Sequence, residues 1–114
     1  MKARLPQGVQ MKQGDMMRQI QQMQQQMETA REEVEQTTFT AKSGGGMVEA
    51  EVNGKKEVLN ITIAPEAVDP DDVEMLQDMV VAAVNEALHT AENAMNERME
   101  SITGGMNLSI PGLV

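Results

Sequence analysis

The sequence predicts an α+β fold in one small domain: a long N-terminal helix, a three-stranded antiparallel meander and a long C-terminal helix. Three observations lead there. Apolar residues recur at helical spacing between Met16 and Val34, the period changes to two over residues 38–63, and helical spacing returns between Val73 and Ile102. The chain has 114 residues, one domain's length, and a single aromatic residue, Phe39, beside twelve methionines. Its core must therefore come from Met, Val, Leu, Ile and Ala, and a chain this short buries only roughly two thirds of its unfolded surface. Association between copies is the expected remedy.

In the first helix, Met16, Ile20, Met23, Met27, Ala30 and Val34 follow alternating spacings of four and three, a heptad seam. Gln, Glu and Arg fill the positions between, and all three favour helix. The spacing predicts a helix from about Asp15, its expected cap, to Gln36. Fewer than three heptads are present and methionine specifies register weakly, so the seam suits packing on a partner helix better than an autonomous coiled coil.

The strand region alternates. Phe39 and Ala41, then Val48, Ala50 and Val52, then Leu59, Ile61 and Ile63 form one dry face, with Thr38, Thr40, Lys42, Glu49, Glu51, Asn60 and Thr62 on the other. Asn53-Gly54 between the second and third strands predicts a type I′ hairpin, whose two central residues need positive φ. Gly44, Gly45 and Gly46 join the first strand to the second. No Gly-Lys-Ser or Gly-Lys-Thr follows them, so they read as a flexible turn and not as a phosphate loop.

The second helix is expected to start with Asp69 as N-cap and Pro70 at its first position. Asp69, Asp71, Asp72 and Glu74 lack the spacing and glycine of a calcium loop and suit helix capping. Val73, Leu76, Val80, Ala83, Val84, Ala87, Ala91, Ala94 and Ile102 carry the helical period, Gly104 and Gly105 supply a stop, and the tail NLSIPGLV reads as irregular. Such a helix of about 30 residues is roughly 45 Å long, twice the reach of the strands, so it must overhang the sheet and lie against the first helix. This arrangement leaves apolar edges and stripes uncovered, which predicts a homodimer with two projecting arms.

The formal net charge is −9, the wrong sign for an ordinary nucleic-acid binder. It is unevenly spread. Residues 1–27 hold Lys2, Arg4, Lys12 and Arg18 against Asp15 alone, a local +3, while the rest of the chain carries −12. A positive surface on an acidic body is compatible with Debye screening over about 10 Å or less. No cysteine is present, and His89, the one histidine, lies among Asn, Glu and Thr of the second helix and reads as an ordinary helical residue; enzymatic, metal and cofactor chemistry therefore have no carrier, and no small-molecule substrate is expected. No run of about 18 apolar residues suggests a membrane span, and no signal segment stands out, so the expected location is the cytoplasm.

The glycine-rich turn followed by MVEAEVNGKKEVLNITI, then EMLQDMVVAAVNEALHTAENAMNERM, then TGGMNLSIPGLV, resemble the YbaB/EbfC family in order and spacing over nearly the whole chain. The resemblance implies an α-β-β-β-α homodimer of tweezer-like outline that binds duplex DNA and associates with the bacterial nucleoid. Phosphate attraction without an aromatic platform or a base-reading helix predicts low sequence preference, and an effect on gene expression is expected with it. MKARLPQGVQMKQGD is the least family-like stretch. On this reading residues 1–14 are a flexible basic arm, 15–103 the dimerisation and DNA-binding domain, and 104–114 a Gly/Pro-containing tail. The residues expected at DNA are Lys2, Arg4, Lys12 and Arg18, with Arg98 from the adjoining helix end. The rival reading is an acidic dimeric adaptor that binds protein clients through Met-rich helices.

Overall fold

The structure, a computed structural model, describes residues 4–104, with side-chain burial from Gly14 onward. Its elements are α1 (Arg4–Gln36), β1 (Thr38–Ser43), β2 (Val48–Asn53), β3 (Val58–Ile63) and α2 (Val73–Thr103), with short 3-10 turns at Gly44–Gly46 and Pro65–Ala67. The predicted α+β order is present. The shape is long and thin, 86 × 28 × 15 Å, because both helices outrun the sheet.

Helix α1 begins at Arg4, so Asp15 lies within the helix and does not cap it. The reason is physical: Pro6 falls in the first turn, where a missing N–H costs nothing, and Gly14 weakens an interior position by only about 1 kcal/mol. At the other end Thr37 stops the helix. Its N–H donates to the Val34 carbonyl at 3.0 Å and its hydroxyl to the Glu33 carbonyl at 2.7 Å.

The sheet order is β1-β2-β3, antiparallel throughout. Phe39 pairs with Val52, Ala41 with Ala50, Val48 with Ile63 and Ala50 with Ile61, so these residues share one face of the sheet, but the expected dry face holds only over β1 and β2: β3 is exposed throughout, and Val58 in place of Leu59 pairs with Val52. Between Asn60 and Val58 the register shifts against Glu51 and Val52, leaving Leu59 without a partner. Helix α2 lies on the dry face over β1 and β2. Ala83, Ala87 and Ala91, each four residues from the next, are fully buried, and their small side chains bring the helix close to Val48, Ala50 and Val52.

The core is smaller than the composition suggested. Val48 and Val52 are the largest fully buried side chains among the described residues. Methionine and leucine, expected inside, sit at its margin, as Leu76, Met79 and Leu88 do. The alanine stripe explains this, since a helix seated so closely leaves no depth for long side chains.

Three local expectations change. The β2–β3 hairpin is not type I′: Gly54 does not have positive φ, whereas Lys56 does, at 66°. The Lys56 N–H donates to the Asn53 carbonyl and the Asn53 N–H to that of Glu57, both at 3.0 Å, which makes a three-residue loop with a left-handed last residue. The Asn53 side chain fixes it further, accepting from the N–H groups of Lys55 at 2.9 Å and Glu57 at 3.0 Å. Asp69 is not the N-cap of α2. It heads a turn in which its carboxylate accepts from the Asp71 N–H and its carbonyl from the Asp72 N–H, both at 2.9 Å. Asp72 caps instead, accepting from the Met75 N–H at 3.2 Å, because Pro70 favours the second position of a turn as readily as the first of a helix. Gly104 keeps right-handed helical angles, so it does not end α2 by a left-handed turn, and Gly105 lies outside the described residues.

Candidate nucleic-acid interface

Any surface that meets phosphate must concentrate cations, so the sites to inspect follow from charge along the two helices. Helix α2 contains Glu74, Asp78, Glu86, Glu92, Glu97 and Glu100 against Arg98. That helix repels a polyanion along most of its length. The C-terminal third of α1 is similar, with Glu28, Glu32, Glu33 and Glu35 around Arg31. Only the N-terminal part of α1, bearing Arg4, Lys12 and Arg18 against Asp15, has a cationic excess.

The two helices meet at the base of this region. Arg98 donates to the carboxylate of Glu33, both side chains about half exposed. Ala30 and Val34 are buried there, whereas Ile20 is 42% and Met16 58% exposed. Helix α2 ends at Thr103, and Ile102 lines an open groove with Gln22, Gln25 and Gln26 of α1. Beyond this level α1 continues as a single projecting arm.

The expected DNA residues therefore separate. Arg18 is exposed on the arm, two residues from both Met16 and Ile20 and so about 200° around the helix from each. The side chains of Arg4 and Lys12, and all of Lys2, lie outside the described residues. Arg98 is not brought near Arg18, contrary to expectation. Its partner Glu33 is fifteen positions along α1, or ~23 Å of helix axis. The cause is length, since α2 stops well short of Arg18.

Other sequence features are absorbed by structure. Gly44, Gly45 and Gly46 all have positive φ, from 60° to 94°, and the preceding Ser43 hydroxyl donates to the Met79 carbonyl at 2.6 Å, tying the turn to α2. His89 is an exposed residue of α2. Among the described residues no three His, Asp or Glu side chains are grouped to hold a metal ion, and no helix is long and apolar enough to cross a membrane.

One feature escaped sequence reasoning. Every residue of β3 is exposed, including Val58, Leu59, Ile61 and Ile63, because α2 covers β1 and β2 but not this strand. The alternation signalled a dry face without telling which strand would lack a cover.

The model of the YbaB/EbfC DNA-binding family matches residues 8–106. A nucleoid-associated protein of Clostridium novyi is 50% identical over 99 residues, which make up 87% of this chain and 85% of that one. One from Clostridium acetobutylicum is 52% identical over 99 residues, 87% of each chain. The crystal structure of an uncharacterized Helicobacter pylori protein superposes with a TM-score of 0.57 at 27% identity, covering 68% of this chain and 90% of that one.

Proposed function

This chain belongs to the YbaB/EbfC DNA-binding family, and from that premise we propose that it is a homodimer whose two α1 arms hold duplex DNA through phosphates, with low sequence preference. The supporting observation is the charge pattern. The arm is the cationic stretch of an otherwise acidic chain, and it projects beyond α2, away from most of the carboxylates that would repel a duplex. Lys2, Arg4, Lys12 and Arg18 are the contacts in this reading. Arg98 braces the base of the arm through Glu33.

Low specificity follows from the side chains available. Phosphate contacts set position without reading sequence, and the arm offers no aromatic residue for base stacking. The relatives named as nucleoid-associated support a place for this chain on the nucleoid. An effect on gene expression is part of the same proposal. Binding, and not catalysis, is the role proposed.

The dimer is proposed to form through β3. Val58, Leu59, Ile61 and Ile63 present an apolar strand at the sheet edge, next in sequence to exposed Val68, Val73 and Met75. A second copy brought there by two-fold symmetry covers this surface, and two arms then face a shared duplex. The experiment is a salt-dependent titration of duplex DNA with the dimer, in which affinity must fall steeply as salt rises.

A further inference from the structure

We propose that Gln22 and Gln25 extend the DNA-contacting surface of the α1 arm, donating their side-chain amides to backbone oxygens of the duplex beside Arg18; this rests on the arm being the site that meets DNA. Residues 16–27 hold six glutamines, four methionines, Ile20 and Arg18, and no carboxylate. All six glutamines are exposed. A solvated helix face does not require this composition, since Glu and Lys favour helix as well as Gln does, and α1 itself turns to Glu28, Arg31 and Glu32 immediately below. What Gln offers and Glu does not is N–H donation without negative charge.

The spacing puts these donors in line with the cation. At about 100° per residue, Gln22 lies roughly 40° to one side of Arg18 and Gln25 roughly 20° to the other, ~6 Å and ~10.5 Å along the axis, so the three form one stripe. Met16, Ile20 and Met23 are on the other side of the helix. Towards α2 the stripe runs into an open groove in which the one lining carboxylate among the described residues, Glu33, accepts from Arg98. Over residues 16–27, ~18 Å of helix axis, a polyanion laid on the stripe therefore meets donors and no carboxylate of α1. Glutamine is among the side chains that bond phosphate and sugar oxygens. Because an amide is neutral, such a bond releases no condensed counterion, so it adds affinity without steepening the dependence on salt. That separates the glutamines from Arg18 by measurement.

The test compares Gln22→Ala/Gln25→Ala with Gln19→Ala/Gln24→Ala, a pair whose positions lie about 100° and 120° around the helix from Arg18. Alanine is the strongest helix former and all four positions are exposed, so α1 persists in both, as circular dichroism checks. Each full-length variant and the parent are titrated with one duplex of A·T pairs and one of G·C pairs over a series of salt concentrations. The stripe pair should bind both duplexes at least roughly tenfold more weakly, along a line of log affinity against log salt parallel to the parent's. The flank pair should stay within about twofold of the parent. Unchanged affinity in the stripe pair, an equal loss in the flank pair, or a loss with a flatter slope would each overturn the proposal while leaving DNA binding by the arm in place. A loss confined to the A·T duplex would overturn it too, because glutamine would then be reading adenine and not the backbone. A parent that binds neither duplex at low salt would remove the DNA-binding reading and this inference together.

Discussion

Ala50 and Ile61 are partners in the β2–β3 register and face the same side of the sheet, yet Ala50 is completely buried and Ile61 is 37% exposed. The difference marks where α2 ends its cover. Burial of apolar surface stabilises by about 25 cal/mol per Å², so an exposed strand holding Val58, Leu59, Ile61 and Ile63 is a strong driving force for association. Ile61→Asp should therefore turn the proposed dimer into a monomer. Sedimentation at micromolar concentration should give about twice the chain mass for the parent protein and one chain mass for the variant. A variant that sediments like the parent would place the interface elsewhere.

The hairpin makes a second prediction. A Cβ on Gly54 would meet the Val34 carbonyl group, with its carbon 2.5 Å away, and the Glu35 Cα at 2.8 Å. These are backbone atoms of α1 and cannot rotate aside. Gly54→Ala should lower stability by about 1–3 kcal/mol, the usual range for overpacking, as read by denaturant unfolding. Gly54→Asn discriminates the cause. Asparagine accepts positive φ, so a requirement for left-handed backbone would spare it, whereas the close approach makes it at least as damaging as alanine.

Lys56 is the residue in that loop that does have positive φ. Its ion pair with Glu92 is 3.8 Å long and half exposed, and such pairs contribute little. Lys56→Gly should raise stability by roughly 1 kcal/mol through relief of the left-handed conformation. A lower melting temperature for Lys56→Gly would show that the pair outweighs the backbone.

Capping supplies a fourth. Asp72→Ala removes the acceptor for the Met75 N–H and should destabilise by about 1 kcal/mol, recoverable with Asp72→Ser or Asp72→Asn. Loss without recovery by either variant would mean that the carboxylate acts other than as a cap.

Periodicity made both helices and all three strands legible, since a change from 3.6 to 2 in the apolar repeat is a direct image of which faces are buried. What it left obscure depended on long-range approach. Asn53-Gly54 suggested positive φ because that is its common local use, but Gly54 is required by α1 passing overhead. Asp69 before Pro70 read as the cap of α2 because a turn and a helix start use the same residue types, whereas Asp72 holds that position. At the candidate interface, sequence revealed the cationic stretch but placed Arg98 beside it. The distance between them depends on where α2 stops relative to α1, which no local pattern encodes.

The central claim is that the α1 arm meets phosphate. It is tested most directly by titrating one duplex with the parent protein and with Lys12→Ala/Arg18→Ala over a series of salt concentrations, after circular dichroism has confirmed the helix in both. For the parent, log affinity should fall linearly with log salt at a slope near −0.9 per phosphate neutralised. The double variant should bind all duplexes more weakly to a similar degree, with a flatter slope, because contacts that position without reading bases have been removed. Unchanged affinity and slope in the folded variant would contradict the arm as the site. A parent dimer that binds no duplex even at low salt would contradict DNA binding itself and favour an acidic adaptor that uses its Met-rich helices on protein partners.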